Sequence, residues 1–146
     1  MSIKLDKENH HFNISIAKNL NDIRILRSAM GAWLEDLKID EFKIMSVNLC
    51  LTEAIYNAML HAYKETKEKD KVVDIKIKKE KNFIEIIVQD YGKIEWFKNY
   101  KLSQLKEDAI TQDHGKGLLI VNGLASTMEI KNDKNKGTWI HMRINL

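Results

Sequence analysis

Proline is absent from all 146 residues, cysteine occurs once as Cys50, and glycine only six times. Without proline no proline-rich linker divides the chain, and a single domain spanning 1–146 is expected. One cysteine excludes an internal disulfide, and a lone thiol suits a reducing compartment. No charged-then-apolar leader opens the sequence, and no apolar run approaches the ~20 residues of a membrane span, so a soluble cytoplasmic protein with no membrane association is expected. Neither sign of charge dominates. Lysine and arginine number 24 against 21 acidic residues, a formal net charge of +3. The densest lysine stretch, Lys64 to Lys81, also carries Glu65, Glu68, Asp70, Asp74 and Glu80. A nucleic-acid reader concentrates positive charge on one face, so these lysines read as solvated surface and direct nucleic-acid binding is not expected. What remains is globular composition, 44% hydrophobic and 31% charged, which excludes disorder, collagen and coiled coil. A chain of this size buries roughly 70% of its unfolded surface and needs no staples.

The apolar spacing supplies the elements. Phe12, Ile14 and Ile16 alternate with Asn13 and Ser15, which predicts a strand. From Asn19 to Lys38 the apolar residues Leu20, Ile23, Leu26, Met30, Trp33, Leu34 and Leu37 recur at helical intervals. Asp40 fits the N-cap of a second helix running to Tyr63. Val73, Ile75 and Ile77, then Ile84, Ile86 and Val88, predict two strands joined by a turn over Lys79 to Asn82. A long polar connection follows, then a helix from Gly115 carrying Leu118, Leu119, Val121 and Leu124. A hairpin closes the chain, with Met128 and Ile130 facing Ile140, Met142 and Ile144. Consecutive strands with short turns imply antiparallel pairing. The expected fold is therefore α+β, a two-layer sandwich with helices on one face of a mostly antiparallel mixed sheet.

Four features could carry chemistry. On the second helix, apolar around most of its circumference, Glu53, Asn57 and His61 fall at i, i+4 and i+8 on one stripe. A buried carboxylate is usually paired, metal-linked or facing a cavity, whereas a solvent edge would leave it ordinary. The strand through Val88 ends in Asp90-Tyr91-Gly92, either a plain turn or a carboxylate acceptor beside a glycine that admits a flat ligand. Gly115-Lys116-Gly117 opens a helix, as a tight helix start or as a set of amides for an anion. It is neither a P-loop nor a dinucleotide fingerprint. Gly137-Thr138 begins the last strand, where the hydroxyl points into a site or simply suits a β surface.

Taken in order, these features resemble the ATP-binding fold shared by gyrase, heat-shock chaperones, histidine kinases and mismatch-repair ATPases, from about Asp40 to the C-terminus. The stretch Leu51-Thr52-Glu53-Ala54-Ile55-Tyr56-Asn57-Ala58-Met59-Leu60-His61-Ala62-Tyr63 is similar to the Glu-Ala-x-x-Asn-Ala-x-x-His-Ala-Tyr pattern of bacterial anti-sigma-factor serine kinases. That resemblance implies ATP and Mg²⁺ as cofactors, with Asn57 as the Mg²⁺ ligand and Glu53 as general base for an incoming serine. It implies Asp90 as acceptor for the adenine amine, with Gly92 admitting the ring and Thr138 supporting the contact. Gly115 and Gly117 would offer amides to the phosphates, Lys116 a further cation, and His61 would lie near the phosphates or pack beneath them. The segment 93–114 would be a lid.

The implied protein is a serine kinase that phosphorylates an anti-anti-sigma partner and otherwise sequesters a sigma factor, as a homodimer. The alternative is a module that binds nucleotide weakly or not at all and regulates by contact alone. The chain departs from the pattern at Ile94 and near Leu119, both glycine positions in the relatives, and at Ser126 and Thr127, where an acidic residue is common.

Overall fold

A computed structural model describes residues 1–6, 10–17, 20–63, 72–92, 100–101 and 117–146. The elements are β1 (Ser2–Asp6), β2 (His11–Ala17), α1 (Leu20–Asp36), α2 (Glu41–Asn57) and a π-helical turn (Ala58–Ala62). They continue with β3 (Val72–Lys79), β4 (Phe83–Asp90), β5 (Tyr100–Lys101), α3 (Gly117–Leu124), β6 (Thr127–Asp133) and β7 (Gly137–Asn145). The described strands form one seven-stranded sheet in the order β1-β2-β3-β4-β7-β6-β5. Every described pairing is antiparallel, the arrangement that the short connections predict. Two strands lie outside the sequence reading: β1, which adds to the free edge of β2, and β5, two residues within 93–114 that pair with β6. The sequence reading also gives a helical turn over Leu102 to Ile110, which falls outside the described residues.

Alternation sorts the sheet into two faces. Ile14, Ile75, Val88, Ile140 and Ile130 stand side by side across five strands, and all five are buried. The helices cover this face. Ile23, Leu26, Met30 and Leu34 of α1 and Val47, Leu51, Ala54 and Ile55 of α2 belong to the same core. Phe12 stacks on Trp33 with ring centroids 5.6 Å apart, joining β2 to α1. The other face carries Glu85, Gln89, Lys76, His141 and Arg143, with Glu85 bonded to His141 at 2.9 Å and to Arg143 at 3.4 Å. No helix among the described residues is long and apolar enough to cross a membrane.

Local chemistry sets the helix ends. Lys38 takes φ 60°, and the amides of Lys38 and Ile39 reach the carbonyls of Glu35 at 2.9 Å and Leu34 at 3.1 Å. This closure usually employs glycine, because a side chain at positive φ is crowded. Asp40 then caps α2, its Oδ1 accepting from Lys43 N at 3.1 Å. The far end of α2 does not stay α-helical to Tyr63. After Asn57 the winding widens into the π turn, which accommodates an extra residue in the helix and is frequent at functional sites.

Candidate functional site

The polar residues enter the site by continuing the apolar pattern. Asp90 lies in phase with Ile84, Ile86 and Val88, so it faces the helices, and it is only 2% exposed. Its rung runs from Ile16 through Val73 and Asp90 to Thr138 and Asn132. One end of an oily face therefore becomes polar. The Asp90 carboxylate accepts from Gly92 N at 3.1 Å. This bond orients the carboxylate, a group that offers about four acceptor sites. Thr138, also 2% exposed, stands beside Asp90, but its hydroxyl donates to Asn132 Oδ1 at 2.7 Å. The hydroxyl is thus engaged by Asn132, which the sequence reading missed.

Two glycines brace this rung. Gly137 has φ 96°, and a Cβ there would lie 1.9 Å from the Asp90 carbonyl oxygen. A Cβ on Gly92 would lie 2.3 Å from the carbonyl oxygen of Ala62, in the π turn. The missing side chain at Gly92 thus serves the packing of β4 against the end of the helix. Tyr63, quoted above only as part of a pattern, seals the same junction. Its hydroxyl donates to Val72 O and accepts from Tyr91 N, the latter at 2.8 Å. Tyr91 in turn donates to Asp74, which also accepts from Ser15 at 2.6 Å. Desolvation first, then the bond to Asp74, pushes the Tyr91 phenol up to about 12.

Glu53 and Asn57 occupy the other half of the site. A Cβ on Gly117 would lie 2.2 Å from Glu53 Oε2 and 3.7 Å from Asn57 Nδ2. The first residue of α3 therefore meets both side chains, and its bare backbone leaves room for the carboxylate. Asn57 is 6% exposed, and its Nδ2 is buried with no hydrogen-bond partner. Such an orphan costs about 1–3 kcal/mol and is tolerable where a ligand completes it. Rotating the amide by half a turn exchanges Oδ1 for Nδ2 and presents an acceptor at the same place. Among the described residues no three His, Cys, Asp or Glu side chains gather to hold a metal. A cation at Asn57 would share its coordination with ligand oxygens, as Mg²⁺ commonly does. His61 sits half-buried in the π turn. Gly115 and Lys116 lie outside the described residues, as does most of the segment read as a lid.

Cys50, one turn before Glu53, is fully buried, and desolvation first and Glu53 second push its thiol up to about 12. Such burial suits packing and disfavours the reactive thiolate. A depression of about 520 Å³, lined in part by Asn13, Asp74, Gln89 and Trp139, lies on the sheet's open face. The sheet separates it from the rung of Asp90 and Thr138, so it is not part of this site.

No curated protein matches the chain. Among solved structures it is similar to a chain of the SiaB–SiaC complex from Pseudomonas aeruginosa, with a TM-score of 0.69 at 11% identity. The match covers 95% of this chain and 91% of that one. At that identity the likeness speaks to the fold. The histidine kinase-like ATPase domain family matches residues 16–144. Because that match spans most of the chain, the chain belongs to the histidine kinase-like ATPase domain family.

Proposed function

We propose that the protein is an ATP-dependent serine kinase that regulates a partner protein. The observation that carries this reading is the meeting of Glu53, the orphaned Asn57 amide and Gly117 at one point. An amide that lacks a partner and a helix N-terminus with its amide dipoles together suit a metal–phosphate group. Asp90, buried at the end of β4, would accept from the exocyclic amine of adenine. Asn57 would hold Mg²⁺, which supplies charge neutralisation to the phosphates. Glu53 would take the proton from a serine hydroxyl as its oxygen bonds to the γ-phosphorus and ADP leaves. A positioned base of this kind contributes about 10²–10⁴ in rate, with orientation supplying much of the rest. Gly117 contributes a backbone amide, and Gly115, Lys116 and His61 are proposed to complete the phosphate side.

The partner in this reading is a small anti-anti-sigma protein that carries the acceptor serine, with a sigma factor held in its place when phosphorylation releases it. The likeness to a chain from the SiaB–SiaC complex, an assembly of two proteins, supports a partner-binding role. The protein would act in the cytoplasm as a homodimer. Incubating the full chain with Mg-ATP and a small anti-anti-sigma protein, then reading serine phosphate by mass spectrometry, tests the proposal. Transfer by wild type that falls at least 100-fold in Glu53→Gln is expected. Undiminished transfer by Glu53→Gln would remove the base assignment.

A second reading rests on Ile94 and Leu119, which stand where relatives carry glycine: a module that regulates by contact, holding nucleotide weakly or not at all. Saturable Mg-ATP-dependent transfer would exclude it.

A further inference from the structure

We propose that Tyr63 is a positioning residue for base recognition, fixing the exit of β4 so that Asp90 meets adenine in one orientation. The inference rests on reading Asp90 as the adenine acceptor and extends it to a residue that touches neither base nor phosphate. Tyr63 follows the π turn directly and is 2% exposed. Its hydroxyl is the junction of two strands: it donates to Val72 O at the start of β3 and accepts from Tyr91 N just past the end of β4. A tyrosine hydroxyl has one proton and two lone pairs, so both bonds form at once.

Desolvation first, partly offset by the bond from Tyr91, raises the Tyr63 pKa, so the hydroxyl keeps the proton it donates. Tyr91 N lies between Asp90 and Gly92, and Gly92 N is the donor that orients the Asp90 carboxylate. Two successive amides are thereby held, one by the end of the asparagine helix and one by the carboxylate itself. The Gly92–Ala62 contact adds a second tie between the same two segments. The Tyr63 oxygen therefore sets the backbone angle from which Asp90 projects, and it links the Asn57 end of the site to the Asp90 end.

The test is Tyr63→Phe, which removes the oxygen and keeps the ring. Calorimetric titration of the full chain with Mg-ADP is compared with titration by Mg-tripolyphosphate, which has phosphates and no base. Binding of Mg-ADP is expected to weaken about tenfold, equivalent to about 1.4 kcal/mol, while Mg-tripolyphosphate affinity stays unchanged. The Tyr91 amide should lose hydrogen-exchange protection in the variant. Tyr91→Phe, which keeps the main-chain bond, should bind Mg-ADP as wild type does. Equal weakening toward both ligands would mark Tyr63 as structural only and overturn the proposal. Unchanged Mg-ADP affinity in a folded variant would overturn it alone, whereas a wild type that binds no Mg-ADP would overturn the adenine reading as well. Should Tyr63→Phe fail to fold, wild-type exchange decides: Tyr91 protection that does not rise with Mg-ADP overturns the inference.

Discussion

The two halves of the site are built on opposite principles. Around Asp90 the backbone is tied down: Gly92 N bonds the carboxylate, Thr138 bonds Asn132, Tyr63 bridges Val72 and Tyr91, and Gly137 packs on the Asp90 carbonyl. Around Asn57 a buried amide donor is left without a partner, and the space beside Glu53 exists only because residue 117 lacks a side chain. The first half is finished as protein. The second, on the proposed reading, would be finished by its ligand. In the proposed function the rigid half would meet a flat base and the incomplete half the phosphates.

Substitutions should separate the halves, most sharply where the backbone is tied. Gly137→Ala combines a side chain at positive φ with a 1.9 Å collision. It should cost about 3 kcal/mol, the sum of left-handed strain and overpacking, read as a lower urea midpoint at constant m-value. Gly92→Ala meets the Ala62 carbonyl at 2.3 Å, contact with backbone that cannot swing away. A loss of about 2 kcal/mol is expected in the same assay.

On the open half the sign should reverse. Asn57→Leu removes an unpartnered donor, so the ligand-free protein should be unchanged or up to about 1 kcal/mol more stable. The same variant should lose the stabilisation by Mg-ADP, which for wild type is about 2.7 kcal/mol at 100 times the dissociation constant. A destabilised Asn57→Leu would break the comparison. Gly117→Ala collides only with the movable tip of Glu53. Its stability, read by thermal melting, should stay within about 0.5 kcal/mol of wild type, while the proposed phosphate transfer should fall because the carboxylate is displaced. The smallest effect is at Cys50, whose thiol is pushed up to about 12 and fully buried. Iodoacetamide at neutral pH should leave the native protein unlabelled.

Much of this was legible because two periodicities carried it. The inward alternation of Ile84, Ile86 and Val88 continues to Asp90, so a reader of strand phase could place that carboxylate against the helices. The four-residue step from Glu53 to Asn57 likewise put both on one face of α2. What escaped the sequence lacks a periodic signature. Strand β1, with Ile3 and Leu5 exposed, reads as polar chain because an edge strand buries little. Tyr63 looks like one more apolar residue at a helix end, and its contacts with Val72, nine residues on, and Tyr91, 28 residues on, carry no periodic signature. Asn132 becomes meaningful only once the β6–β7 register sets it opposite Thr138.

The π turn acts as a phase shifter in the long second helix. Five residues, Ala58–Ala62, fill a turn that ordinary winding would complete with fewer. Winding all five as ordinary α-helix would instead turn everything downstream by roughly 100° further, the angle of one residue. Hydropathy would not register the change, since the residues would be the same. Yet the Tyr63 hydroxyl would swing out of reach of Tyr91, and Ala62 would leave its seat on Gly92. The wide winding therefore works as a gear tooth: it meshes the rotation of the helix with the end of the neighbouring strand, and a helix tightened there without losing a residue would turn the two halves of the candidate site out of alignment.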